Sequence, residues 1–305
     1  MKTNKLMLWV LGFVLLFTFA AASAADAPKL TFKFTKANVR GALQTEPNGI
    51  NNKGVIVGGY EDKKSVFHGY ILDGKKLTTL DDPNGTDTDA LGINYNGSIA
   101  VVGVYTNSSG NGVGFLYNAK TKQFTDITGP QGATYSGASE INDQGWIVGW
   151  YQDSSGFTHG FLLQGKKYTT LDVPGATYTY AYGISNKGNI DLTWVNSHGS
   201  YEGALYNYKT KTYKTIKVPR VGLDGSEASY INNEDDITFY WYDSSGLVHG
   251  ALCTECDSKG RTYYKFNYPK AVETYPNGIN DSNTFVGWYQ TKRYGPYSGF
   301  KATYK

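Results

Sequence analysis

With 29 basic and 26 acidic residues among 305, the chain is nearly neutral and has no global field to gather nucleic acid. Tyr, Phe and Trp stand beside abundant Gly, Thr and Asn, a mixture that favours strands joined by tight turns. Beyond residue 24 no run has the amphipathic period of a helix, which excludes a helical domain.

Residues 1–24 read as a secretory signal. Lys2 and Lys5 give a positive start, Leu6 to Ala20 is almost wholly apolar, and Ala22-Ser23-Ala24 is a small-x-small cleavage site. The apolar run is short for a bilayer span, and the cleavage site follows it directly. The expected mature protein is residues 25–305, a single soluble repeat domain with no membrane span, secreted or delivered to the periplasm or cell exterior. Loss of Lys2 and Lys5 with the leader takes the formal charge from +3 to +1.

The rest of the chain repeats itself. A Gly-Ile-Asn-like tripeptide ends at Asn51, Asn94, Asn142, Ser185, Asn232 and Asn280, spacings of 43 to 48 residues that suit four-stranded propeller blades. Within the third unit four short β-like runs are punctuated by Asp143-Gln144-Gly145, Asp153-Ser154-Ser155-Gly156, Gly165-Lys166 and Val173-Pro174-Gly175, the pattern of an antiparallel meander. Four residues before the tripeptide stand Thr45, Thr88, Ser136, Thr179, Ser226 and Thr274. Two before it stand Pro47, Ala90, Ala138, Ala181, Ala228 and Pro276. Such compact columns are expected where blades converge on the axis, so this run is read as the innermost strand. An aromatic column on the second strand (Tyr60, Tyr105, Tyr151, Trp194, Trp241, Tyr289) reads as wedge filling between blades. The sixth unit stops after its third strand, while Leu30-Thr31-Phe32-Lys33-Phe34 matches fourth strands such as Tyr263-Tyr264-Lys265-Phe266. The N-terminal strand is therefore expected to close the ring, giving an all-β, six-bladed β-propeller of four-stranded antiparallel blades.

Gly49 to Gly58, His159-Gly160-Phe161-Leu162 and Thr170-Leu171-Asp172-Val173-Pro174-Gly175-Ala176 together resemble the HAF extracellular repeat across essentially all of residues 25–305. The resemblance implies export and repeat architecture and brings no established activity. The fourth unit departs from it with Asp191-Leu192-Thr193 and the fifth with Glu234-Asp235, so local distortion is expected in both.

Chemistry is harder to read. His68, His159 and His249 share one column in alternate units, too far apart on a ring to hold one metal ion. Cys253 and Cys256 have redox spacing but no helix start to lower a thiol pKa; in an exported protein they are expected to form a local disulfide. Asp81 to Asp89 is rich enough in oxygen to make calcium a candidate, without the EF-hand order; no other cofactor is indicated. Lysines at the turns into the fourth strands, among them Lys75, Lys76, Lys166 and Lys167, would protect outer edges or meet an anionic cell envelope.

One constellation exceeds background. Three residues before each tripeptide come Glu46, Asp89, Gly137, Tyr180, Glu227 and Tyr275; five before it come Gln44, Asp87, Tyr135, Tyr178, Gly225 and Glu273. The acids and tyrosines (Glu46, Asp87, Asp89, Tyr135, Tyr178, Tyr180, Glu227, Glu273, Tyr275) are expected to surround one axial mouth, wet and outside the core, where they would suit a carbohydrate or a cation. No nucleophile elbow or zinc motif accompanies them. The leading reading is a monomeric, non-catalytic binding or scaffold propeller with a glycan or envelope ligand. The runner-up is a calcium-assisted hydrolase or lactonase with its site in the central channel.

Overall fold

The computed structural model describes residues 30–305; the expected leader and its cleavage site lie outside the described residues. A short strand β1 (Phe32–Lys36) comes first. The first blade then runs β2 (Gln44–Ile50), β3 (Ile56–Glu61), β4 (Phe67–Asp73) and β5 (Lys76–Leu80). The second has β6 (Gly85–Ile93), β7 (Ala100–Asn107), β8 (Gly112–Asn118) and β9 (Gln123–Ile127), and the third β10 (Tyr135–Ile141), β11 (Ile147–Gln152), β12 (Thr158–Gln164) and β13 (Lys167–Leu171). The fourth has β14 (Tyr178–Ile184), β15 (Asn189–Val195), β16 (Tyr201–Asn207) and β17 (Thr212–Ile216); the fifth β18 (Ser226–Ile231), β19 (Ile237–Tyr242), β20 (Val248–Thr254) and β21 (Thr262–Phe266). The last comprises β22 (Glu273–Asn280), β23 (Thr284–Gln290) and β24 (Ser298–Tyr304), and β1 completes it in the order β1-β24-β23-β22.

The ring thus closes as its ends imply. β1 pairs antiparallel with β24 from Phe32↔Tyr304 to Lys36↔Phe300, and Phe32 and Phe34 enter an aromatic cluster, 4.6 Å from Phe266 and 5.6 Å from Phe300 respectively. The C-terminal residues are more than a loose strand end. Tyr304 is buried, and its hydroxyl donates to Asp236 Oδ2 at 2.7 Å. Six apolar clusters make up the core, and each straddles one pair of neighbouring blades, so the blades hold one another.

The compact columns lie on the innermost strands, as expected, but for another reason. The Thr and Ser hydroxyls accept a backbone N–H from the segment arriving from the preceding blade: Val39 to Thr45, Asp82 to Thr88, Val173 to Thr179, Val218 to Ser226 and Tyr268 to Thr274, at 2.8 to 3.3 Å. The Ala and Pro column packs against the third-strand glycine of the preceding blade. A Cβ on Gly203 would stand 3.3 Å from the Ala228 Cβ, and one on Gly299 only 2.7 Å from the Pro47 ring. Smallness here serves contact between blades, not room at the axis.

The expected distortions do not occur. β15 pairs with β16 in unbroken register from Asn189↔Asn207 to Val195↔Tyr201. In the fifth blade Asp235 takes φ +62°, the left-handed conformation that Gly54, Gly145 and Gly188 hold at the matching turn, so the turn survives without glycine. Among the described residues no helix is long and apolar enough to cross a membrane.

Candidate functional site

Every inner strand carries a bulge just before its tripeptide, from Pro47/Gly49 in the first blade to Pro276/Ile279 in the last. Beyond the bulge the strands end around a shallow axial pocket of about 170 Å³. It is lined by the six isoleucines Ile50, Ile93, Ile141, Ile184, Ile231 and Ile279, all buried, and by Glu140. The repeated asparagines build its wall. Each Asn Oδ1 accepts backbone N–H groups of its own turn, as Asn142 does from Gln144 and Trp146 at 3.1 and 3.0 Å. Each Nδ2 donates to the next blade: Asn51 to Asn94 O, Asn94 to Asn142 O, Asn142 to Ser185 O, Asn232 to Asn280 O and Asn280 to Asn51 O, at 2.9 to 3.4 Å. Ser185 has no such reach. Across that gap Asn189 Nδ2 donates to Asp235 Oδ1 at 2.8 Å and Lys187 pairs with Asp235 at 3.3 Å.

The next residues form a second ring. The backbone N–H of Tyr95, Asp143, Asn186, Asn233 and Asp281 donates to the side chain of Asp143, Asn186, Asn233, Asp281 and Asn52 respectively, at 2.6 to 3.4 Å. The uniformity of the tripeptide asparagine is the sequence signal for this end of the axis, because one side chain makes the same sideways bond at five of six steps.

At the opposite end the inner strands begin, and here the expected site residues separate. The column three before the tripeptide stays near the axis. Asn48 Nδ2 donates to Asp89 Oδ1 at 2.9 Å, and Glu46 stands close enough to raise the Asp89 pKa further. Tyr180 lies parallel to Tyr182, centroids 5.9 Å apart, with Trp150 at 6.3 and 6.0 Å. Glu227 accepts from the Tyr242 hydroxyl, and Tyr242 stacks on Tyr201 at 6.1 Å. Tyr240 meets Tyr275 at 5.8 Å, Tyr275 stacks on Trp288 at 3.7 Å, and Trp288 meets Tyr297 at 4.3 Å. The third to sixth blades therefore supply a nearly continuous aromatic wall, while Glu46 and Asp89 of the first two supply acid.

These carboxyls are not wet. Glu227 and Glu273 are buried, and Glu46 and Asp89 half-buried. Burial pushes Glu227 up to about 7, against the Tyr242 hydrogen bond; burial and then repulsion from Glu61 push Glu46 up to about 7; burial carries Asp89 well above the usual carboxylate range. Deeper on the axis three departures from the repeat meet. Glu140 and Tyr230 replace the tripeptide glycine, and Asp191 replaces the second-strand valine. Burial pushes Glu140 up to about 8, against hydrogen bonds from Ile141 and Ile93, and Asp191 up to about 7. Tyr230 reaches across the ring, its hydroxyl donating to Leu91 O at 3.2 Å.

The column five before the tripeptide divides. Asp87 is exposed in a second bulge with φ +50°, its carboxylate taking the Thr86 hydroxyl. Tyr135 covers Gly112, where a Cβ would stand 2.3 Å from its ring, and Tyr178 lines a groove between the third and fourth blades. Glu273 is buried beside Tyr275 and Tyr297. Asp87 and Tyr178 thus stand apart from an axial set (Glu46, Asp89, Tyr180, Glu227, Tyr275), which Tyr135 and Glu273 adjoin.

The three column histidines are clamped separately, each stacked on its column aromatic at 4.6 to 5.2 Å. His68 lies 2.7 Å from Asp81, His159 3.0 Å from Asp172, and His249 3.0 Å from Asp243. The His249 contact, with the Leu247 and Ser245 N–H groups, lowers Asp243 to about 2. Cys253 and Cys256 are buried with sulfurs in bonding reach and Cα atoms 5.7 Å apart. Among the described residues no group of three or more His, Cys, Asp or Glu converges to hold a metal ion.

The sequence matches no protein-family model and no curated protein. Its fold is similar to those of TolB from Acinetobacter baumannii (TM-score 0.56, 12% identity, 81% of this chain), SapL1 lectin in complex with α-methyl fucoside (0.54, 11%, 85%) and Trypanosoma rangeli sialidase (0.54, 9%, 90%). The aligned part spans 62% of TolB, 92% of the lectin and 59% of the sialidase. At such identity the likeness establishes the propeller fold alone.

Proposed function

We propose that the protein is an exported, non-catalytic propeller that binds a glycan at the acid–aromatic end of its axis. The observation that carries this reading is the aromatic wall from Trp150 through Tyr180, Tyr182, Tyr240 and Tyr275 to Trp288, faced by Glu46, Asp89 and Glu227. Sugar rings offer apolar C–H faces that stack on aromatic rings, and hydroxyls that need both donors and acceptors. A carboxyl held near 7, as Glu46 and Glu227 are, is part acid and part carboxylate at neutral pH and serves in either sense.

Support for export comes from the leader-like residues 1–24, the HAF-type wording of Gly49 to Gly58, and the Cys253–Cys256 pair, which suits an oxidising compartment. The mature protein would be residues 25–305 and monomeric. The fucoside-bound lectin among its fold neighbours is consistent with a sugar-binding propeller.

The test is a screen against glycans and divalent cations, repeated with Glu46→Gln, Asp89→Asn, Glu227→Gln and Tyr180→Ala. The expected result is glycan binding weakened at least about tenfold by these changes, the worth of one or two lost hydrogen bonds or stacking contacts. Affinity untouched by all four would place the site elsewhere.

A further inference from the structure

The His–Asp clamp recurs in alternate blades, so the scaffold itself explains it; what one copy adds is not explained that way. In the first blade Val66 stands at the tip of the β3–β4 hairpin and Asp87 at the start of the neighbouring inner strand. In the fifth, Leu247 and the buried Glu273 hold those places, and Asn267 replaces the clamp's second acid. In the fourth the charges are inverted: Glu202 stands in the histidine column, receiving Asn196 Nδ2 at 3.1 Å and pairing with Lys217 at 3.3 Å. Only the third blade joins a full His–Asp clamp to two aromatic rings, Phe157 on the hairpin and Tyr178 on the neighbouring strand, 6.2 Å apart and inclined at 36°.

Between them opens a groove of about 240 Å³, lined by Phe157, Thr158, His159, Asp172, Thr177 and Tyr178. Phe157 is 47% exposed, although no packing demand puts a phenyl ring there. His159 is fixed on three sides, by Tyr151 beneath, Asp172 at 3.0 Å and Asp153 at 3.4 Å, so it holds the Asp172 carboxylate in place at the groove. The volume lies below the ~300–1,000 Å³ of sites for drug-sized ligands, which favours one ring over an extended chain.

We infer that this groove between the third and fourth blades is a second sugar subsite, taking a single pyranose whose apolar face rests on Phe157 and Tyr178 and whose hydroxyls are received by Asp172 and Thr177. The inference rests on the glycan reading above but on a different set of residues.

The experiment is a titration of ¹⁵N-labelled protein with methyl glycosides of the common hexoses and deoxyhexoses, following the amides of Phe157, Thr177 and Tyr178 separately from those of Tyr180 and Tyr275. The expected result is saturable shifts at the groove. Phe157→Ala, whose exposed ring makes the fold insensitive to it, should weaken them at least about tenfold, and Glu227→Gln should leave them unchanged. Shifts confined to Tyr180 and Tyr275, or groove affinity unchanged in Phe157→Ala, overturn the subsite while leaving the axial reading in place. Shifts confined to the groove support the subsite and count against the axial site; no shifts anywhere overturn both.

Discussion

At the C-terminal ends of the inner strands the blades present nearly one residue type, and asparagine binds neighbour to neighbour in five of six steps. At the N-terminal ends, on the same six strands, one column holds Glu, Asp, Gly and Tyr, and burial raises the pKa of its acids, Glu46 and Glu227 to about 7 and Asp89 well above the usual carboxylate range. At five of its six steps the first end satisfies its own turn and the next blade's backbone with a single side chain used twice. The second carries groups whose charge the fold opposes. A position maintained for closure and a position maintained at a cost in stability are distinguishable by experiment, because substituting them should move stability in opposite directions.

The comparison presumes a closed ring, and the largest expected effect comes from opening it. Deleting residues 25–36 removes β1, uncovers the edge of β24 and strips Phe32 and Phe34 from their cluster. The product should fail to fold cooperatively and should aggregate, as circular dichroism and light scattering would show. Deleting residues 301–305 should be comparably damaging, since Ala302 and Tyr304 are buried. Next in size, Asn142→Ala leaves two turn N–H groups and the Ser185 carbonyl without their partner, and should cost about 3 kcal/mol in denaturant unfolding. Smallest, Ser185→Asn would supply the missing step of the asparagine ring. It should add about 1 kcal/mol, a rise of a few degrees in melting temperature, even though Asn189 and Lys187 already span the gap.

The architecture was readable because it is repeated: spacing, turn residues and the unfinished last unit fixed six blades and the strand that closes them. The roles of the columns were less so. Residue size cannot tell an axis from a contact between blades, and Thr45 and Ala181 are small for the second reason. Nor does the repetition of Asn51 and Asn94 from unit to unit reveal that each amide leaves its own blade. Strand alternation puts Tyr178 and Tyr180 on one face, yet the strand runs inward from the rim, so one lines a groove and the other the axis. Burial of Glu227 and Glu273 depends on what the neighbouring blades place over them, which no local pattern carries.

The most direct test is the melting temperature of Glu227→Gln beside the unaltered protein at pH 5 and pH 8. Because burial raises the Glu227 carboxyl from 4.5 to about 7, the folded state holds its proton more tightly than the unfolded chain does. The contribution of this group to stability is therefore full at low pH, falls as pH rises between those values, and levels off above them. The loss at pH 8 from this one group is on the order of 3 kcal/mol. Glutamine keeps the shape and can still accept from Tyr242, without the charge. The account predicts that Glu227→Gln melts several degrees higher than the unaltered protein at pH 8, with the advantage largely gone at pH 5. Equal or lower melting at pH 8 would contradict it, for Glu227 would then belong with the asparagines as a residue the ring needs in order to stand.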